Sequence, residues 1–187
     1  MKWNDHSKLP SDHAFLGASK YGWLNDDAAK LKERYIRWLA AERGTQMHEL
    51  AAKLITLGVE LPQTNKTFDQ YVNDAIGFRM RPEQRLYYSD NCFGTADAIV
   101  YDEKAKFLRI HDLKTGVVIP AKFPQLYIYA ALFCLEYHQK PGNMSFELRI
   151  YQNNDILVEN PTAEVILPVM DKIIAFDKLI NNIKGEL

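Results

Sequence analysis

The sequence predicts an α/β (mixed α+β) domain, a small central mixed sheet flanked by helices behind a helical N-terminal region. Three observations predict it. Apolar residues recur at helical spacing through the first third of the chain, the middle switches to short segments rich in β-formers, and helical composition returns between and after those segments. The 187 residues, 47% of them hydrophobic, suit one domain with its own core. We expect that domain to span 1–187, with a helical part over about 1–80, a sheet core over about 81–160 and a C-terminal helix over about 161–185.

In order along the chain, residues 26–41 place Leu31, Tyr35, Trp38 and Leu39 at helical spacing. Arg43-Gly44 is expected to interrupt that helix and Thr45 to cap a second one, with an apolar stripe of Met47, Leu50, Ala51, Leu54 and Ile55 ending near Gly58. On this reading His48 lies in a first helical turn. A third helix is expected over 67–80. Residues 93–101 and 107–113 read as two strands joined by the short polar connection 102–106, a hairpin. Residues 124–138 return to helical composition and stop at Pro141-Gly142; 145–152 and 156–159 read as strands, and the tail is helical to about Lys184.

Composition narrows the function. With 23 basic and 24 acidic residues the net charge is −1, so no global cationic field advertises a polyanionic partner, and any nucleic-acid site must be local. Cys92 and Cys134 form neither a disulfide framework nor a CxxC metal pair, which fits a reducing, cytoplasmic setting. The first 13 residues lack the apolar core of a signal peptide, and no run of about 18 apolar residues occurs to span a membrane. We therefore expect a soluble protein with no membrane partner.

The hairpin can be registered on itself. If its turn centres between Lys104 and Ala105, Tyr101 opposes Leu108 and Ile99 opposes Ile110; the next pair on that face is Asp97 opposite Asp112. Like charges directly opposed in a sheet are destabilising unless they share a proton or bind a cation. Two hard oxygen donors without soft thiolates suit Mg²⁺ or Mn²⁺ better than zinc, and Mg²⁺ typically pairs one or two carboxylates with substrate phosphate. Lys114, two residues beyond Asp112, projects from the same face, where an ammonium could stabilise charge developing on phosphoryl oxygens. Taken singly, an Asp-x-Lys strand end is more often a solvated edge. Agreement of both acids in one register favours phosphate chemistry.

Four blocks then carry a family resemblance: Gly44-Thr45-Gln46-Met47-His48, Gly94-Thr95-Ala96-Asp97, Asp112-Leu113-Lys114-Thr115-Gly116, and Gln125-Leu126-Tyr127-Ile128-Tyr129-Ala130. In this order they resemble the PD-(D/E)XK nucleases, in the RecB-like branch that includes phage exonucleases and the CRISPR-associated adaptation nucleases. The resemblance implies a restriction-endonuclease-like core and a metal-dependent deoxyribonuclease. Asp97, Asp112 and Lys114 would be its catalytic residues, with Asp97, Asp112, His48 and the carbonyl of Leu113 holding Mg²⁺ or Mn²⁺. Near a helix N-terminus, His48 would favour the neutral, ligating imidazole. Gln125 and Tyr129 would bind substrate or brace the site, and Glu83 and Thr115 are weaker candidates. The adaptation nucleases carry four cysteines for an iron–sulfur cluster; this chain has two, so no cluster is expected.

The resemblance thus implies hydrolysis of DNA phosphodiesters, with an exonuclease in phage or bacterial recombination, repair or DNA processing preferred over a structure-specific endonuclease. Homo-oligomers and a single-strand-annealing recombination protein are the partners it suggests besides DNA. Basic residues including Lys20, Lys30, Arg34, Arg37, Arg79, Arg81 and Arg85 could contact phosphates, and Tyr21, Trp23, Tyr87 or Tyr88 could stack on bases. Two other classes stand beside it, a DNA-binding recombination accessory protein without catalysis and a small-molecule phosphohydrolase.

Overall fold

The computed structural model describes residues 8, 14–116 and 122–186. It is a mixed α/β structure, as expected. The element order is a 3-10 segment Ala18–Asn25, α1 (Ala28–Leu57), α2 (Thr67–Gly77), β1 (Arg81–Ser89), β2 (Cys92–Asp102), β3 (Phe107–Leu113), α3 (Pro124–Glu136), a 3-10 turn Pro141–Asn143, β4 (Ser145–Gln152), β5 (Asp155–Glu159) and α4 (Ala163–Glu186). The described residues fall into two compact units, divided after Thr45, inside α1. No helix among them is long and apolar enough to cross a membrane.

In the first unit Asp27 caps α1, its Oδ1 accepting from the Lys30 amide at 2.8 Å. The rings of Phe15, Tyr35 and Trp38 pack together there, with Tyr35 stacked on Trp38 at 5.6 Å.

The second unit is built on one five-stranded sheet in the order β1-β2-β3-β4-β5. Only β3 and β4 pair in parallel; the other neighbours are antiparallel. That parallel pair needs a crossover, and α3 supplies it. Two core clusters cover the two faces of the sheet. Leu108, Ile110, Leu148 and Ile150 pack with Leu126, Ala130 and Phe133 of α3 and Ile166 of α4. Ala98, Leu113 and Tyr151 pack with Tyr71, Val72 and Ala75 of α2 and with Ala51 and Ile55 of α1.

The expected pairs Tyr101–Leu108 and Ile99–Ile110 are those of the β2–β3 ladder. Asp102 closes the connection by accepting from the amides of Lys104 and Ala105 at 2.9 and 3.0 Å. Two expectations need correction. The break at Arg43-Gly44 does not occur: α1 runs unbroken, and Thr45, far from capping a helix, returns its hydroxyl to the Ala41 carbonyl at 3.2 Å. A glycine inside a helix costs only about 1 kcal/mol relative to alanine, and the flanking helix formers outweigh it. His48 is therefore a mid-helix residue. The hairpin is also part of a larger meander, because β1 precedes it as an edge strand. Its first five residues, Arg-Pro-Glu-Gln-Arg, are polar because alternate residues face solvent, and an edge tolerates the proline.

Candidate metal and phosphate site

The site forms where β1, β2 and β3 lose their regular pairing. Between β1 and β2 the ladder joins Pro82 to Ala98 and Gln84 to Ala96, and skips the intervening pair Glu83 and Asp97. Glu83 has a left-handed backbone, φ 48°, a conformation costly for a residue with a Cβ. Alternation along β2 slips at the same point: Ala96 and Ile99, three apart, both enter the cluster under α3, whereas Ala98 belongs to the opposite cluster. On the other side, the β2–β3 ladder ends at Ala98–His111, just before Asp97 and Asp112. The Leu113 amide, freed from that ladder, donates to Asp97 Oδ2 at 2.8 Å.

His48 reaches the same carboxylate from α1, its Nδ1 lying 3.4 Å from Asp97 Oδ2. One ligand atom each from His48, Glu83 and Asp97 fall within 4.8 Å of one another. Asp97 beside His48 raises the imidazole pKa above its ordinary value, with burial opposing. A helix N-terminus would act in the opposite direction; here His48 is mid-helix and the adjacent carboxylates set the shift. Glu83 is pushed up by burial and then by Asp97.

Asp112 is 1% exposed at the end of β3. Burial raises its pKa, Asp97 adds to the rise, and Lys114 opposes it. Lys114 Nζ donates to Asp112 Oδ1 at 3.0 Å and stands 2.9 Å from Oδ2. The second approach is an ion-pair contact without hydrogen-bond alignment, so Oδ2 stays buried and accepts no hydrogen bond. The ammonium is steadied from α3: it donates to Gln125 Oε1 at 2.8 Å, and Gln125 Nε2 donates to the Tyr129 hydroxyl at 3.1 Å. Proline at the start of α3 presets that helix, and the spacing of four sets Gln125 and Tyr129 on one face.

The donor set fits a hard divalent cation. It offers carboxylate oxygens and one imidazole, with no thiolate, and one carboxylate oxygen of Asp112 is buried without a hydrogen-bond partner. Glu83, a minor candidate in the sequence, belongs to the compact trio; Asp112, a leading one, stands beside it and engages Lys114. Leu113 contributes its amide to Asp97. Thr115 is exposed, and among the described residues no contact draws it into the cluster.

Sequence reasoning missed Tyr71. This α2 residue is 2% exposed, and its phenol pKa is raised well above the ordinary value by burial and then by Asp97, Glu83 and Asp112. Its place in the stripe Phe68, Tyr71, Val72, Ala75 reads as ordinary core, which it also is. Compared with known proteins, the chain matches no protein-family model and no curated sequence.

Proposed function

We propose that this chain is a divalent-metal-dependent deoxyribonuclease that hydrolyses phosphodiester bonds, working from DNA ends as an exonuclease. One observation carries the reading: an oxygen-rich trio, His48, Glu83 and Asp97, converges beside a buried aspartate that holds a lysine ammonium in place. Structural ion pairs do not need an imidazole and three carboxylates on four elements with a strained glutamate backbone among them.

His48, Glu83, Asp97 and Asp112 would hold Mg²⁺ or Mn²⁺. When bound, such an ion supplies electrophilic stabilisation of the phosphoryl oxygens. The chain itself supplies the rest. The Leu113 amide fixes the Asp97 carboxylate, so one acid cannot turn away from the other. Lys114, held between Asp112 and Gln125, presents a fixed positive charge where negative charge grows on the scissile phosphate. Tyr129 keeps Gln125 turned so that its carbonyl oxygen, and not its amide nitrogen, meets the ammonium. Preference for ends follows the resemblance to the RecB-like branch.

The test is incubation of the purified chain with linear and with covalently closed circular DNA, in Mg²⁺ or Mn²⁺ and in EDTA. Metal-dependent loss of linear DNA alone is the expected result. Nicking of circles would make the enzyme an endonuclease, and no change in either substrate would favour a DNA-binding accessory protein. Asp112→Asn, which removes a charge at constant size, should abolish the activity; a fully active variant would remove Asp112 from the site.

A further inference from the structure

A second feature of the same unit has no part in the cation site. The C-terminal end of α2, strands β1 and β2 and the last turn of α3 enclose a cleft of ≈ 230 Å³, with Arg79, Arg81, Gln84, Tyr101, Phe133 and Tyr137 among its lining. We infer that this cleft is a subsite for single-stranded DNA, taking one unstacked base against its aromatic wall while Arg79 and Arg81 hold the adjoining phosphates.

The charge is the first argument. Two arginines elsewhere in this unit are neutralised: Arg109 and Arg149 pair with Glu147, and Arg149 also with Asp74. Among the described residues, neither Arg79 nor Arg81 has an acidic partner. Two free guanidinium forks on one cleft suit phosphate oxygens, which they can engage bidentately.

The backbone is the second. Arg79 follows α2 with φ 54°, its amide bonded to the Ile76 carbonyl at 2.9 Å and the Met80 amide to the Ala75 carbonyl at 2.8 Å. This pair of bonds defines a Schellman cap, and its left-handed position ordinarily takes glycine. The cap alone does not call for an arginine there. A side chain kept where glycine costs less points to a use for it.

The rings are the third. Tyr101, Phe133 and Tyr137 form a continuous wall, with Phe133 4.9 Å from each neighbour. Phe133 is 6% exposed whereas Tyr137 is 47% exposed, so a buried ring backs an open one. The Tyr101 hydroxyl is tied to Gln139 at 3.2 Å, which fixes its ring. An exposed, backed tyrosine stacks on any base, because every base has a π face. Sites for whole small ligands usually run from about 300 to 1,000 Å³; this smaller opening suits one flat base still attached to its chain. A base must leave its duplex stack to enter a concave site, and that selects the single strand.

Position is the fourth, and here the inference rests on the nuclease reading. On α3 the residues Gln125, Tyr129, Phe133 and Tyr137 follow at intervals of four, so the open ring stands about 12 Å along the helix from the tyrosine that braces Gln125. On β1, Arg81 and Glu83 are two residues apart. One strand of substrate can lie across both places.

The test uses the full chain in EDTA, with a fluorescein-labelled 12-nucleotide oligo-dT read by anisotropy over a salt series. For the double variant Arg79→Gly/Arg81→Gln, the slope of log affinity against log salt should become shallower by about 0.7 for each phosphate that no longer meets a guanidinium. Tyr137→Ala should weaken binding roughly 5- to 100-fold. Arg79→Gly alone should leave Tm unchanged or raise it, because it relieves the left-handed position, so its weaker affinity is not misfolding. In a separate assay with Mn²⁺ in place of EDTA, hydrolysis of bis(4-nitrophenyl) phosphate, too short to reach the cleft, should be the same in every variant. Unchanged affinity and salt slope in the variants, or no oligo-dT binding by the wild-type chain, would overturn the subsite. The two readings separate cleanly. Cleavage of DNA with no effect of these substitutions ends the subsite alone, whereas Arg-dependent oligo-dT binding without any metal-dependent cleavage ends the nuclease reading alone.

Discussion

Gly94 of β2 lies so close beneath Tyr129 of α3 that a Cβ at position 94 would stand 2.9 Å from the tyrosine Cε1. Real side chains essentially never approach so closely, so either the ring or the strand must move. The ring is the far end of the chain Tyr129–Gln125–Lys114–Asp112. A methyl group at Gly94 therefore acts on the ammonium without touching it. Gly94→Ala should cost about 1–3 kcal/mol of stability as an overpacked contact and reduce turnover more than that loss explains. Denaturant melts beside kcat values check this; full activity with normal stability would show that Tyr129 has room to yield.

Lys114 and Gln125 should separate by magnitude. Removing the ammonium, Lys114→Ala, should lower kcat by about 10²–10³, the usual effect of losing one donor to developing charge. Gln125→Ala leaves the ammonium but loosens it, and should cost about 10- to 100-fold. The Mn²⁺ midpoint from calorimetry should change little in either variant. Equal losses from both would mean that Gln125 contacts substrate directly.

Glu83 should trade stability against cation binding. Its left-handed backbone costs roughly 1–2 kcal/mol, and glycine, which adopts that conformation freely, returns part of this as extra disorder in the unfolded chain. Glu83→Gly should thus match or exceed the wild-type Tm in EDTA. Mn²⁺ should stabilise the wild-type chain by about 2.7 kcal/mol at a hundredfold excess over Kd, and the variant by much less. A variant less stable in EDTA, with undiminished Mn²⁺ response, would give Glu83 a purely architectural role.

Glu147 makes a prediction about acid. Burial pushes its carboxyl up, but Arg109 and then Arg149 outweigh this and hold it below its ordinary value of 4.5. A carboxylate depressed in the folded state contributes stability above the unfolded pKa and loses it as pH falls through the lowered value. Urea midpoints should decline below about pH 4.5, and the decline should be flatter for Glu147→Gln. An equally steep decline would assign acid sensitivity to other groups.

Much of the sheet is legible in the sequence, since β3 and β4 are short segments rich in β-formers that interleave apolar with polar residues between turns, and the hairpin turn fixes its own register. The acids are found by extending that register to Asp97 and Asp112. Strict alternation, however, would carry Asp97 onto the face of Ile99 without interruption, and the strand slips there. The cause lies in β1, in the unpaired Glu83 that faces Asp97, and the stretch around it, Arg-Pro-Glu-Gln-Arg at the sheet edge, is polar with little β signal of its own. For the same reason the sequence offers Glu83 only as a minor candidate and does not reveal its place beside His48 and Asp97. His48 stands out by its block of residues, but its electrostatics depend on whether Gly44 ends a helix, which packing decides and local composition does not.

The gap between Glu83 and Asp97 also bears on how this molecule meets its neighbours. Strand β1 is an outer margin of the sheet, where a second chain could zip on through main-chain hydrogen bonds. That margin carries Pro82, which has no N–H to offer, then Glu83, twisted out of the extended conformation, with the exposed charges of Arg81 and Arg85 on either side. An incoming strand finds no unbroken row to copy. The distortion that gathers acids at one place thus also guards the molecule against fibrous self-association, and straightening it would remove both properties together.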